Sequence, residues 1–179
     1  MTRTIPEDPP APDESPSERF VALLEAHRGI LRRIAAAYCR NPEDRRDLVQ
    51  EMTTQLWRSF PRYDERQRFS TWMYRVGFNV AISFVRREAV RARHAAPGDP
   101  EILVAGAAAT DASPGDRDLR LLERFLAGLE AFDRALLLLY LDGQPHAAIA
   151  EVLGISETNV GTRLGRLKER LRRELDENA

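Results

Sequence analysis

Apolar positions recur at helical spacing along most of the chain, and no stretch alternates with the two-residue period of a strand. The first series is Phe20, Leu24, Ile30/Leu31, Ile34 and Tyr38, with His27 filling a slot. It predicts a helix from Ser15 to about Arg40. Ser15 is its N-cap, Pro16 its first residue, and Glu18 closes a capping box. "NPED" repeats the device: Asn41 caps, Pro42 starts, and Glu43 and Asp44 favour the positive helix end. Leu48, Val49, Met52, Leu56, Trp57 and Phe60 then form a second apolar face, which Pro61 ends. A third helix is predicted from about Ser70, burying Phe69, Trp72/Met73, Val76, Val80 and Phe84. Three such faces can close one core.

From His94 to about Arg117 the period lapses into Ala, Gly, Pro and Asp, which predicts a flexible linker. Roughly 23 flexible residues span about 25 Å root-mean-square. Periodicity returns with Leu122, Phe125, Leu126 and Leu129. A further helix, "RALLLLYL", follows with Asp133 as its expected N-cap and Gly143 beyond its end. Next comes "PHAAIAEVLGISETNVGTRLGRLKERL" (145–171). Pro145 suits a first turn, Ile149, Val152 and Leu153 point inward, and Gly154 supplies a left-handed stop. Ile155 packs under the turn and Ser156 caps the next helix. There Val160, Leu164, Leu167 and Leu171 fall within about 60° of each other. The expected architecture is all-α: a tail over 1–14, a first helical domain over 15–93, a linker over 94–117 and a helix-turn-helix domain over 118–179.

Composition sharpens this picture at a few points. The 179 residues carry a formal net charge of −1 and are 43% hydrophobic. Positive charge is clustered, in "RREAVRAR" (86–93) and "RLGRLKERLRR" (163–173), and is almost all Arg, whose planar fork suits phosphate and guanine edges. Local potential, not the total, steers a polyanion. An acidic, Pro-rich N-terminal segment offsets it and is expected to be disordered. That segment lacks the apolar core of a secretory signal, and no run approaches the ~20 apolar residues of a membrane span. The expected location is the cytoplasm, without membrane insertion. Cys39 is the only cysteine, and His27, His94 and His146 are scattered. No metal site, cofactor site or catalytic constellation is expected.

The outward face of the last helix carries polar groups directly after its cap. Glu157, Thr158, Asn159, Thr162, Arg163 and Arg166 are the candidates for DNA contact, because a recognition helix inserts its N-terminal residues into the major groove. Arg170, Arg172 and Arg173 lie further along and suit phosphates or solvent. Gly161 and Gly165 each cost about 1 kcal/mol relative to Ala inside a helix.

The order of three motifs is more specific than any one of them. "DLVQE", then "RFSTWMYRVGFN" with its trailing "RR", then "AIAEVLGISETNVGTRLGRLKERL" resembles bacterial RNA polymerase sigma factors. The chain is most similar to the compact extracytoplasmic-function (ECF) group, which keeps two domains joined by a linker. The resemblance spans about residues 17–93 and 117–175. It implies a non-enzymatic factor that binds core polymerase and promoter DNA and is often held inactive by an anti-sigma partner. By position, Asp47, Gln50 and Glu51 would dock on polymerase. Arg75, Asn79, Ser83, Arg86 and Arg87 would open and read the −10 element, with loop 63–68 near a flipped base. Trp72 suits either the core or an unstacked base, and its helical spacing favours the core. The recognition helix would read the −35 element. The family commonly has Asp where Ser83 stands and Lys where Gly161 stands. The rival readings are a stand-alone helix-turn-helix regulator that binds duplex DNA without polymerase, and a protein that sequesters a regulator.

Overall fold

The computed structural model describes residues 15–95, 121–122 and 124–177, and all elements among them are helical. The helices are α1 (Pro16–Tyr38), α2 (Pro42–Ser59), α3 (Phe69–Ala95), α4 (helical at 121–122 and 124–127), α5 (Ala131–Leu141), α6 (His146–Leu153) and α7 (Glu157–Glu177). A 3-10 turn, Phe60–Arg62, follows α2. The expected tail (1–14) and nearly all of the expected linker (94–117) lie outside the described residues; α3 continues through 94 and 95.

The local signals act as the sequence proposes at most helix ends. The Glu18 N–H donates to Ser15 Oγ at 3.2 Å while the Ser15 N–H donates to the Glu18 carboxylate at 3.0 Å. The Asn41 side chain accepts the Glu43 N–H at 2.9 Å. Helix α1 stops two residues early, at Tyr38, with Cys39 as its C-cap. Two caps differ from expectation. Helix α5 begins at Ala131 behind Glu130, so Asp133 sits inside its first turn. Its carboxylate is drawn to Arg163 at 3.0 Å instead of back to its own helix. Pro145 occupies the N-cap of α6, with extended backbone, one place ahead of the first turn. Gly154 takes φ +67° and closes α6 as its sequence position demands.

Helices α1, α2 and α3 pack around Ile34, Leu48, Met52, Leu56 and Met73, all fully buried. Gly77 lets α3 approach α1: a Cβ there would lie 2.8 Å from Ile34 Cδ1. Trp57 departs from the expected face. It stays 46% exposed, its ring set edge-on to Phe20 at the rim. Val49 and Phe60 are only partly buried.

Helices α4 to α7 pack around Phe125, Leu136, Leu139, Ile149, Val160 and Leu164. The two bundles touch along α1–α5, α3–α5 and α3–α6. This second surface of α3 buries Tyr74 and Phe78, whose rings stack with centroids 5.9 Å apart. A single amphipathic face does not include them. They are buried because α3 is covered from two sides.

Candidate nucleic-acid interface

Spacing on α3 sets the first surface. Positions 75, 79, 83 and 86 fall within about 80° of one another at 100° per residue. Asn79, Ser83 and Arg86 are exposed and Arg75 is half-buried. The Ser83 hydroxyl donates back to the Asn79 carbonyl at 2.8 Å, so its hydrogen is used within the helix. Arg87 lies off this stripe. One of its Nη atoms donates to both Glu51 oxygens, at 2.7 and 2.6 Å. That bond holds its guanidinium above the ordinary arginine range. A pair therefore joins a residue expected at DNA to one expected at polymerase. Asp47 and Gln50 are exposed on α2, off its buried face.

The loop before α3 is built by short-range bonds. Asp64 accepts the Arg66 N–H at 3.0 Å and also the Arg66 guanidinium. The Tyr63 hydroxyl donates to the Gln67 carbonyl at 2.6 Å. Under the loop, the rings of Phe60, Tyr63, Phe69 and Trp72 form one cluster, with Tyr63 and Trp72 centroids 5.0 Å apart. Trp72 is 8% exposed, as the core reading expects. A cleft of about 1060 Å³ opens here, lined by Arg62, Arg66, Arg68, Arg75 and Asn79. Its far wall is Pro145, Ala147, Ala148 and Glu151 of α6. Arg62 and Glu151 are not among the positions that the sequence singles out. Arg62 follows the helix-stopping proline, where a loop signal was available; Glu151 looks like any exposed helix acid until α6 is laid against α3.

The second surface is the outer face of α7. The Asn159 N–H donates to Ser156 Oγ at 3.2 Å, which fixes the start of the helix. Glu157, Thr158, Asn159, Thr162 and Arg166 are exposed. Arg163 is drawn aside, bonded to Asp133 at 3.0 Å with its guanidinium 5.1 Å from the Phe132 ring centroid. Added Cβ atoms at Gly161 and Gly165 would meet nothing within 4 Å. Close packing within the described chain is therefore not why these glycines stand there. Exposed polar groups on a helix anchored by a tight turn can contact base edges and phosphates. Neither surface brings together a nucleophile and a base. Among the described residues, no group of three or more His, Cys, Asp or Glu could hold a metal ion.

Comparison with known proteins agrees with this division. The sigma-70 region 2 model matches residues 23–91, and the sigma-70 region 4 model matches residues 119–171. The probable RNA polymerase sigma factor RfaY of Xanthomonas campestris is 26% identical over 88% of this chain and 40% of its own length. The ECF sigma factor SigE of Mycolicibacterium smegmatis is 26% identical over 89% of this chain and 63% of its own. The ECF sigma factor SigW of Bacillus subtilis is 22% identical, covering 88% and 89%. The chain thus spans less than two thirds of the length of the first two. Among solved structures, CnrH in complex with the cytosolic domain of CnrY superposes with a TM-score of 0.66 at 21% identity, covering 91% of each chain. RpoE in complex with the anti-sigma factor NepR from Bartonella quintana gives 0.67 at 20% identity, covering 89% of this chain and 96% of that one. With a region 2 bundle carrying the α3 surface and a region 4 bundle carrying the α7 surface, the chain belongs to the ECF group of sigma factors.

Proposed function

We propose that the chain binds RNA polymerase core and directs it to promoters carrying a −10 and a −35 element. The observation that carries this reading is the pair of polar helix faces, one per bundle, each free of the core it helps to build. On α3, Arg75, Asn79, Ser83 and Arg86 face the −10 strand. Loop 63–68 with Arg62 receives an unstacked base and its phosphates, since single strands are held by basic grooves beside aromatic platforms. On α7, Glu157, Thr158, Asn159, Thr162 and Arg166 read the −35 duplex. Arg163, paired with Asp133, links α7 to α5. Asp47, Gln50 and Glu51 meet polymerase, with Arg87 holding Glu51 in place. An anti-sigma protein is a fitting further partner, as one is for the Bartonella RpoE.

Transcript-start mapping after overexpression tests the reading. New starts should share two sequence blocks at a fixed spacing upstream. No new starts, or tight specific duplex binding by the protein without polymerase, would favour the stand-alone regulator instead. Asp47→Ala/Gln50→Ala should weaken capture of core polymerase while the thermal melt stays within about 0.5 kcal/mol of wild type, the usual range for exposed substitutions. Unchanged capture would remove these residues from the interface.

A further inference from the structure

Lys168 is the one lysine among 27 Lys and Arg residues. The rest are arginines, whose guanidinium stays protonated and is a poor nucleophile. A lysine amine can take an acyl group, and with it loses its charge and its cation–π contact. Within that set, therefore, one cation can be switched off, and it lies on α7. Three cations of this helix sit over aromatic rings. Arg163 lies 5.1 Å from the Phe132 centroid and Arg170 lies 5.3 Å from that of Phe125. The two are about 20° apart round the helix, on one flank of the buried Val160, Leu164 and Leu167 stripe. Lys168 is on the other flank, about 140° from Arg163. Its Nζ is 4.1 Å from the Tyr140 centroid and donates to the Tyr140 hydroxyl oxygen at 2.9 Å. Of these ring-seated cations, two hold one flank of α7 and Lys168 alone holds the other. Lys168 is exposed, so a reagent in water reaches it. Arg172, also exposed, stands one turn further along and about 40° round.

We propose that Lys168 is a modification site, acylated by a small acyl phosphate, and that acylation frees one flank of α7 and weakens duplex DNA binding. The DNA effect rests on the reading of α7 under Proposed function; the modification does not. In its neutral form Nζ attacks the carbonyl carbon of the donor. The N–C bond forms, the bond from that carbon to the phosphate oxygen breaks, and inorganic phosphate leaves with the electron pair. The amine proton passes to water. Arg172 holds the phosphate end of the donor and offsets its charge as it departs. The product is a neutral amide with a single N–H, against three on the ammonium. It brings no positive charge to the Tyr140 ring. The loss falls on the flank where no second ring-seated cation takes over.

The test incubates the full-length protein with acetyl phosphate and reads intact mass and peptide maps. Apart from any adduct on the terminal amine, one acetyl group should add, at Lys168, and Lys168→Arg should lose it. No adduct at Lys168 in the folded protein overturns the site. Arg172→Ala should slow the addition at limiting acetyl phosphate. An equal rate in that variant, or a faster reaction with an acetyl thioester, overturns the acyl phosphate as donor. In the acetylated protein, amide hydrogen exchange in α7 should quicken. Affinity for a fluorescein-labelled duplex of random sequence should fall about two- to fivefold, the worth of one exposed cation–π contact. Lys168→Gln should reproduce both effects and Lys168→Arg, which keeps a cation over the ring, neither; thermal melts check that the variants fold. Tyr140→Leu keeps the charge and removes its seat, so it should quicken exchange as well. Unchanged exchange in both Lys168→Gln and Tyr140→Leu overturns the seating role. Faster exchange with unchanged DNA binding upholds the seat and overturns the assignment of α7 to the duplex.

Discussion

Gly77 and Gly161 sit in helices of the same chain under opposite constraints. Gly77 faces Ile34, which is fully buried and closely surrounded. Overpacking a filled core costs typically 1–3 kcal/mol, so Gly77→Ala should lower stability by about that much in a urea titration. Gly161 and Gly165 face open space. There Ala removes backbone freedom from the unfolded chain, and each substitution should raise stability by about 0.5–1 kcal/mol. The same variants report on function: if DNA approaches the helix at these positions, stability rises while upstream-element affinity falls. Arg163→Ala should change stability by less than about 1 kcal/mol, as for other partly exposed pairs. Its effect on DNA should be alike for all sequences, because the guanidinium is committed to Asp133. Loss confined to one base position would instead show that Arg163 leaves Asp133 to read DNA.

Helix ends were the most legible elements. Ser15 with Glu18, Asn41, Gly154 and Ser156 act within four residues of themselves, so their chemistry can be read without a fold. Ser15→Ala and Asn41→Ala should each cost about 0.5–2 kcal/mol, measured by denaturant unfolding. Asp133 shows the limit. It has the composition of a cap, but a long-range guanidinium offers a better partner than its own first turn. The faces of α1 and α7 are legible because each buries essentially one stripe. On α3 the pattern shows only one of two buried faces: Met73 and Val80 follow the single stripe, whereas Tyr74, Phe78 and Ala81 are buried too. Trp57 went the other way. It lies about 100° round α2 from the fully buried Leu56, on the flank of the stripe, where α1 covers it only through the edge of Phe20.

Across the whole molecule, the contact between bundles should respond to alkali. Burial raises the Tyr38 and Tyr74 phenols above the ordinary value. A raised phenol favours the packed state below about pH 10, where a solvated tyrosine keeps its proton. Above that, the opened chain ionises first, and the stabilisation fades as pH climbs toward the packed-state value. Scattering from pH 8 to about 11 should show compactness held and then lost; constancy throughout would mean these hydroxyls do not hold the bundles together. Cys39, 5% exposed at the end of α1, has its thiol pushed up to about 11 by burial. A disulfide reagent at neutral pH should therefore modify it slowly in native buffer and fast in denaturant. The helices, most of their caps, the two bundles and the two polar faces follow from the order of residues alone, because each depends on spacing along one helix or on neighbours a few residues away. Long-range packing was needed to show that α3 has two buried faces, that Arg163 rests on Asp133, that Arg87 joins Glu51, and that Glu151 closes over Arg75. Those pairings link residues 30 to 76 positions apart, and no local period records which distant charge will arrive.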